Sequence, residues 1–200
     1  DVTDQNSLIQ NITLEQNNIE LMDFPLGNQE DHFYWAKLFN TPSGNVLAGL
    51  NKTLSTTLTL NNLNTDASTD VVIYVDIKGH KGININQVHN LGLFLHDSDA
   101  DNLTSPVANE IFQSDEIKTI TFRIPADQFN SGENKIYLQP LATEVEEGEY
   151  DVIYINKIRV TYPILKRAQT LFDLSDINNP VALSSSLLFR SQEQDKTITI

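Results

Sequence analysis

The stretch that decides the fold runs from Ile117 to Pro163 and reads IKTITFRIPADQFNSGENKIYLQPLATEVEEGEYDVIYINKIRVTYP. Within Lys118–Ile124, the apolar residues Ile120, Phe122 and Ile124 alternate with polar residues. A period of two is typical of a β-strand with one buried and one wet face. The pattern therefore predicts a strand that packs one side against a core.

Two further strands follow in the same stretch. Pro125–Asn134 predicts a turn with one helical turn inside it, because proline cannot donate to a strand ladder and Gly132 suits a positive φ. Lys135–Leu138 is the next strand. A long strand then ends at Pro163, which breaks the ladder. Its alternation predicts a single apolar face formed by Val152, Tyr154, Ile158, Val160 and Tyr162.

The rest of the chain also consists of short apolar segments separated by turns. The segments are Leu14–Asp23, Phe33–Phe39, Val46–Leu50, Leu54–Leu60, Val71–Lys78 and Val88–His96. No helical period extends beyond a turn or two, so the sequence predicts an all-β, mostly antiparallel, jelly-roll-like β-sandwich. The predicted core comprises Trp35, Leu58, Leu60, Ile73, Val75, Leu93, Leu95, Ile120, Phe122, Leu138, Ile158 and Val160.

The 200-residue length predicts one domain covering 1–200. We expect both ends to be cuts in a longer precursor, since the opening residues DVTDQN have neither the basic nor the apolar part of a signal peptide and the last residues alternate as a strand. Residues 164–200 either pair back onto the sandwich or begin a neighbouring domain. About 35 residues are too few to bury a core alone, and we favour the first interpretation. The short predicted strands in this part are Leu171–Leu174, Val181–Leu183, Leu187–Phe189 and Thr197–Ile200.

Composition narrows the function classes. The absence of cysteine excludes a disulfide framework, a thiolate metal site and a cysteine nucleophile. The net charge of −14 argues against nucleic acid as a partner, because phosphate backbones are repelled. The same repulsion argues against anionic lipid as a partner. The sequence has no run of about 18 consecutive apolar residues, so no membrane insertion is predicted.

Alternate acids at Asp97, Asp99 and Asp101 form the sharpest chemical motif. The spacing D-x-D-x-[DN] opens calcium loops, since alternate carboxylates converge on one hard cation. The EF-hand pattern fails at Asn102, where glycine is expected, and at Ala108, where a bidentate glutamate is expected. The three aspartates are therefore a candidate Ca²⁺ site, and a solvated hairpin tip is the alternative interpretation.

The other polar clusters predict no catalytic centre. The acidic run of Glu144, Glu146, Glu147, Glu149 and Asp151 is interpreted as a solvated loop, with a paired-carboxylate glycosidase site as the alternative.

The histidines, His32, His80, His89 and His96, lack metal spacing and are predicted to have structural or surface roles. The chain alone is therefore predicted not to be an enzyme. The aromatic run Phe33, Tyr34 and Trp35 faces both sides of a strand. One side is predicted to be core; for the other, burial is favoured over a platform for a sugar ring.

Three segments together resemble one family. Asp31–Leu38 resembles "D-H-x-[YF]-W-x-[RK]-L", which follows a strand like Leu14–Asn18. Val88–Leu95 resembles "x-H-x-v-x-v-x-l-N-G", and Phe122–Pro163 resembles a block that ends "d-x-v-x-l-d-x-i-x-v-x-Y-P". The ordered set, over roughly residues 12–163, is similar to the β-sandwich region ahead of the catalytic domain in gingipain-like cysteine peptidases, whose relatives include the sortase-like component of type IX secretion. Phe172–Pro180 is similar to a downstream strand of that family.

The resemblance implies a non-catalytic accessory or interdomain module of a secreted or cell-surface bacterial protein. Its partners would be neighbouring domains of its own precursor or surface proteins. The family's catalytic histidine and cysteine have no counterpart here, so no catalytic residue is carried over. The family's Asn-Gly turn is replaced by an extension from His96 to Glu110. The competing hypothesis is a jelly-roll carbohydrate-binding module for glycans, stabilised by calcium.

Overall fold

The computed structural model describes residues 7–20, 33–40, 50–80, 88–97, 100, 103–113, 117–141, 151–165, 187–190 and 195–198. The chain divides into two units between Lys166 and Arg167. The strands of the first unit are β1 (Ser7–Glu15), β2 (Ile19–Glu20), β3 (Phe33–Tyr34), β4 (Ala36–Asn40), β5 (Leu54–Leu60), β6 (Val71–Gly79), β7 (Val88–Leu95), β8 (Ala108–Gln113), β9 (Ile117–Ile124), β10 (Gly132–Pro140) and β11 (Asp151–Leu165).

The second unit contains an antiparallel pair, β12 (Leu187–Arg190) and β13 (Asp195–Ile198). The predicted segments Leu171–Leu174 and Val181–Leu183 lie outside the described residues. Whether residues 164–200 pair back onto the sandwich stays a prediction. The sequence predicts a first strand pair or edge at Leu14–Asp23. In the structure β1 begins earlier, at Ser7, and ends at Glu15, and β2 covers Ile19–Glu20; residues 21–23 lie outside the described residues.

The first unit contains two large antiparallel sheets and a two-stranded antiparallel pair, β2–β3. Sheet 1 has the order β1-β11-β6-β9, with β4 also paired to β11, and sheet 2 has the order β5-β10-β7-β8. The chain crosses between the sheets at nearly every connection from β4 to β11, and this alternation is the jelly-roll arrangement. The prediction of an all-β, mostly antiparallel jelly-roll-like sandwich is confirmed.

The core lies between the two sheets and is built from the inward residues of both. All predicted core residues are buried except Leu95, which is only partly buried because it is the last residue of β7. Tyr162 is also in this core, and burial raises the pKa of its hydroxyl above the ordinary value of 10. The backbone of Asn61 offsets only part of that rise. Below pH 10, Tyr162 is neutral in both the folded and the unfolded chain. As the pH rises above 10 the unfolded chain ionises first, so the free energy of unfolding falls.

The predicted turn before β10 is confirmed in detail. A 3₁₀ turn covers Ala126–Gln128, and Gly132 has a φ of 116°, a value that favours glycine. Asn134 holds the turn closed: its Nδ2 donates to the carbonyl oxygens of Asn130 and Gly132 at 2.9 and 3.0 Å. Its Oδ1 accepts from the Asn130 N–H at 2.7 Å.

The prediction of one apolar face along β11 is wrong. A β-bulge lies between Ile155 and Lys157, where the register against β6 shifts by one residue. An extra residue reverses the alternation, so residues before and after the bulge use opposite parity to reach the same side. Ile153 and Ile155 therefore share the core with Ile158, Val160 and Tyr162. Val152 and Tyr154 point to the outer side of sheet 1.

A small second apolar cluster lies on that outer side, over the first half of β11. Tyr34 packs against Tyr154, with ring centroids 5.4 Å apart, and Val152, Ile19 and Phe39 complete it. The predicted burial of the aromatic run is confirmed for Tyr34 and for Trp35, which lies in the main core, whereas Phe33 is 42% exposed.

Candidate functional site

The site is a histidine–aspartate pair buried between the sheets. His89 lies on β7 of sheet 2, and Asp151 is the first residue of β11 in sheet 1. The His89 Nδ1 and Asp151 Oδ1 atoms are 2.5 Å apart, and both side chains are 0% exposed. Strand parity explains the placement, because His89 alternates in step with the inward residue Leu91, and Asp151 with Ile153.

The hydrogen-bond chemistry of the pair follows from its acceptor. The direction of this hydrogen bond depends on the His89 tautomer: an ionised carboxylate only accepts, and the tautomer that bonds to one carries its hydrogen on Nδ1. Within the described residues, neither His89 Nε2 nor Asp151 Oδ2 has a hydrogen-bond partner. The His89 ring is stacked on Phe112, its direct cross-strand neighbour on β8, with centroids 5.0 Å apart. This stacking covers one face of the His89 ring with apolar surface.

A second polar tie joins the sheets beside this pair. Asn40, the cross-strand partner of Asp151 on β4, is 4% exposed. Its Nδ2 donates to the carbonyl oxygen of Leu141 at 2.9 Å, and the N–H of Leu141 donates to the carbonyl oxygen of Asn90 at 2.8 Å. We refer to His89, Asp151 and Asn40 as the inter-sheet clamp, because each belongs to one sheet and bonds toward the other.

The geometry of the clamp suits an architectural role. A catalytic His–Asp pair presents its free nitrogen to a nucleophile or a substrate. His89 Nε2 meets no hydroxyl at hydrogen-bonding distance within the described residues, and neither side chain reaches solvent. Among those residues, no group of three or more histidine, aspartate or glutamate side chains could hold a metal ion.

The predicted calcium loop is only partly described. The backbone oxygen of Asp97 accepts from the Tyr137 hydroxyl at 2.6 Å, and its Oδ1 accepts from the Thr104 hydroxyl at 3.2 Å. Asp99 and Asp101 lie outside the described residues. Calcium at Asp97, Asp99 and Asp101 therefore stays a prediction.

For Asp151, the interpretation of the acidic run as a solvated loop is wrong. Asp151 is fully buried, because it belongs to β11 and alternates in step with core residues. The four glutamates of that run lie outside the described residues. Sequence reasoning also left His89 without a partner. The signal that could have found the pair is parity: each residue sits two positions before an inward-facing apolar residue.

Two other histidines have surface positions within the first unit. His80 meets the ring of Tyr154 edge-on, at 6.4 Å between centroids. His96 is exposed with a φ of 59°, and its Nε2 is 3.0 Å from the carbonyl oxygen of Gln128. The predicted surface position is confirmed for His80 and His96, a structural role for His89 stays a prediction, and His32 lies outside the described residues.

Fold and clamp together define a two-sheet, jelly-roll β-sandwich module. No protein-family model matches the chain, and no curated protein sequence matches it either. Among solved structures, dimeric latent PorU from Porphyromonas gingivalis is similar with a TM-score of 0.48 and 11% identity, over 80% of this chain and 13% of that chain. The chain thus spans a small part of the PorU chain.

Two other solved structures are also similar to the chain. A carbohydrate-binding module, CBM36 in complex with calcium and xylotriose, is similar with a TM-score of 0.43 and 15% identity, over 74% of this chain and 98% of that chain. The structure of infectious bursal disease virus Gx strain is similar with a TM-score of 0.38 and 10% identity, over 83% of this chain and 34% of that chain. All three similarities are distant. Within the described residues, no helix is long and apolar enough to cross a membrane.

Proposed function

We propose that the chain is a non-catalytic accessory or interdomain module of a secreted or cell-surface, gingipain-like protein. In this role it would connect or position neighbouring domains of its own precursor, or contact surface proteins. The proposal combines the sequence resemblance with the geometry of the clamp. It assigns the chain no reaction of its own.

The observation that carries the proposal is that two separate resemblance motifs meet. His89 is the histidine of the motif on β7, and Asp151 is the first acid of the motif on β11. These residues are 62 positions apart and form one hydrogen bond inside the core. The polar positions of both motifs thereby have a shared architectural explanation.

The non-catalytic assignment predicts that the purified chain does not cleave peptides. We expect no turnover of a fluorogenic peptide mixture and no covalent labelling by acyl-enzyme probes, because the described residues contain no nucleophile paired with a base. A gingipain-like peptidase assayed in parallel serves as the positive control. Peptide cleavage that persists after repeated purification, and that disappears in Asp151→Asn while the melting temperature is retained, would contradict the assignment.

A second candidate function is carbohydrate binding, with calcium as a stabilising ion. The observation that favours it is the outer face of sheet 1, where the partly exposed ring of Tyr74 lies among polar side chains. Aromatic rings with polar neighbours suit sugars, because they offer an apolar surface beside hydrogen-bonding groups. Calcium would be held by oxygen ligands at Asp97, Asp99 and Asp101.

The calcium proposal predicts a change in melting temperature. Extracellular calcium modules bind with dissociation constants of about 10⁻⁴–10⁻³ M. At about 2 mM calcium and a dissociation constant near 0.1 mM, binding adds about 1.8 kcal/mol, which corresponds to roughly 4–7 °C in a chain of this size. The measurement is a thermal melt in calcium against EDTA, for the wild type and Asp99→Ala. Equal wild-type melts would favour the solvated hairpin tip, and a shift that survives Asp99→Ala would move the site elsewhere.

A further inference from the structure

The outward side chains of sheet 1 form a regular array, because its antiparallel strands align residue by residue. Lys157 on β11 lies between Glu15 on β1 and Asp76 on β6. One step along, Arg159 lies directly opposite Tyr74. Neighbouring strands are about 4.8 Å apart, so these groups sit within reach of one extended ligand.

This array is basic although the chain as a whole carries a net charge of −14. Strand parity and register place more cations than anions on the outer face of the sheet. The cations are Lys37, Lys78, Arg123, Lys157 and Arg159, and the anions are Glu15 and Asp76. A local reversal of sign on an acidic protein marks a surface suited to an anionic partner.

Asp76 is the centre of the array and does not neutralise it. Its Oδ1 accepts from Arg159 Nη2 at 3.0 Å and from the Thr119 hydroxyl at 2.5 Å, and its Oδ2 is 3.7 Å from Lys157 Nζ. Arg159 remains 46% exposed and Lys157 33% exposed. Asp76 and Glu15 together balance the charges of Lys157 and Arg159, and the excess positive charge of the face comes from Lys37, Lys78 and Arg123. A guanidinium has five N–H donors, so Arg159 keeps donor capacity for a ligand.

Tyr74 adds an apolar surface to the same place. The guanidinium of Arg159 lies over the Tyr74 ring, 5.5 Å from its centroid. Around this stacked pair, Thr121 lies opposite Tyr74 on β9, and Thr161 donates to Asn11 Oδ1 at 2.7 Å. The face therefore combines cations, hydroxyls, an amide and part of an aromatic ring on a rigid sheet.

We propose that the outer face of sheet 1 binds an anionic polysaccharide, with uronic-acid carboxylates on Lys157 and Arg159 and sugar hydroxyls donating to Asp76. The inference rests on the second proposed function and specifies its site and its ligand class. A polymer that offers only acidic groups fits this face poorly, because the Asp76 carboxylate repels acids and accepts hydrogen bonds from hydroxyl groups. A uronic-acid polymer supplies both the anions and the hydroxyl donors that the array requires.

The experiment is affinity electrophoresis of the 200-residue chain in gels that contain polygalacturonate, at about 50 mM salt. We expect retardation of the wild type, and about tenfold weaker binding by the double variant Lys157→Ala/Arg159→Ala, because exposed ion pairs are individually weak. The matched control is Lys52→Ala/Lys135→Ala, which removes the same charge away from this face and is expected to bind as the wild type does. Thermal melts confirm that both variants fold.

Three comparison ligands separate the alternatives. A carboxyl-reduced, neutral form of the same polymer is expected to bind at least tenfold more weakly. Equal binding of the neutral polymer, unaffected by Lys157→Ala/Arg159→Ala, would overturn this site while leaving carbohydrate binding in place. Equal binding of poly-glutamate would overturn the polysaccharide assignment. No binding of polygalacturonate, its reduced form or xylan would overturn both.

Discussion

Replacing His89 with alanine is expected to lower the free energy of unfolding by about 3–5 kcal/mol. The substitution removes the hydrogen-bond donor of Asp151 and leaves a carboxylate buried without its partner. It also removes the ring that stacks on Phe112, so a cavity opens between the sheets. A loss of this size is a large fraction of the total stability of a typical domain.

The measurement is a thermal melt of the variant beside the wild type. A loss of about 3–5 kcal/mol corresponds to a fall in melting temperature of roughly 6–20 °C for a chain of this length. The matched control is His80→Ala, a histidine with a surface position, for which we expect a change within about 0.5 kcal/mol. Equal melting temperatures for His89→Ala and His80→Ala would mean that the pair has no structural importance.

Deleting Asn156 is expected to have an effect of similar or greater size. Asn156 is the extra residue of the bulge, so its removal would force one half of β11 to turn over. Ile153 and Ile155 would leave the core, and Asp151 would leave His89. Burying each isoleucine contributes about 1.5–3 kcal/mol, so the total loss exceeds about 5 kcal/mol when the pair is included.

The control for the deletion is Asn156→Ala, which keeps the number of residues in β11. We expect this substitution to cost about 1 kcal/mol, because the register of both halves is retained. Chemical denaturation of both variants, followed by tryptophan fluorescence from Trp35, distinguishes them. A deletion variant as stable as Asn156→Ala would show that β11 does not depend on the bulge.

Much of the sandwich could be predicted from the sequence because its strands alternate clearly. Val71–Gly79 and Ile117–Ile124 have inward apolar residues at every second position, and the structure places them as neighbours in sheet 1. The turn at Gly132 was predictable because its backbone conformation favours glycine. Strand alternation and the conformation of a turn depend on neighbouring residues, so both can be predicted from a single sequence.

The bulge was not predictable from alternation alone. Val152 and Tyr154 are as apolar as Ile153 and Ile155, so either set could have faced the core. Counting from the other end of the strand gives the opposite face, and a conflict between the two counts is the signature of an inserted residue. The second cluster, which buries Tyr154 on the outer side, resolves the conflict.

The clamp was within partial reach of the sequence. Parity places both His89 and Asp151 inward, and an inward charged residue in a β-sandwich requires a partner. The identity of the partner depends on how the two sheets stack. No local sequence pattern gives the distance between side chains on different sheets. The assignment of Asp151 to a solvated loop failed because the surrounding glutamates were given more weight than the strand that begins at Asp151.

The most direct test of the central claim is a double-mutant cycle between His89 and Asp151, with unfolding free energies from urea denaturation of the wild type, His89→Ala, Asp151→Ala and the double variant. Each single substitution strands a buried polar partner, and the double substitution strands none. We therefore expect the double variant to lose about 1–3 kcal/mol less than the two single losses combined. Losses that simply add would contradict the claim that the two residues act as one tie between the sheets.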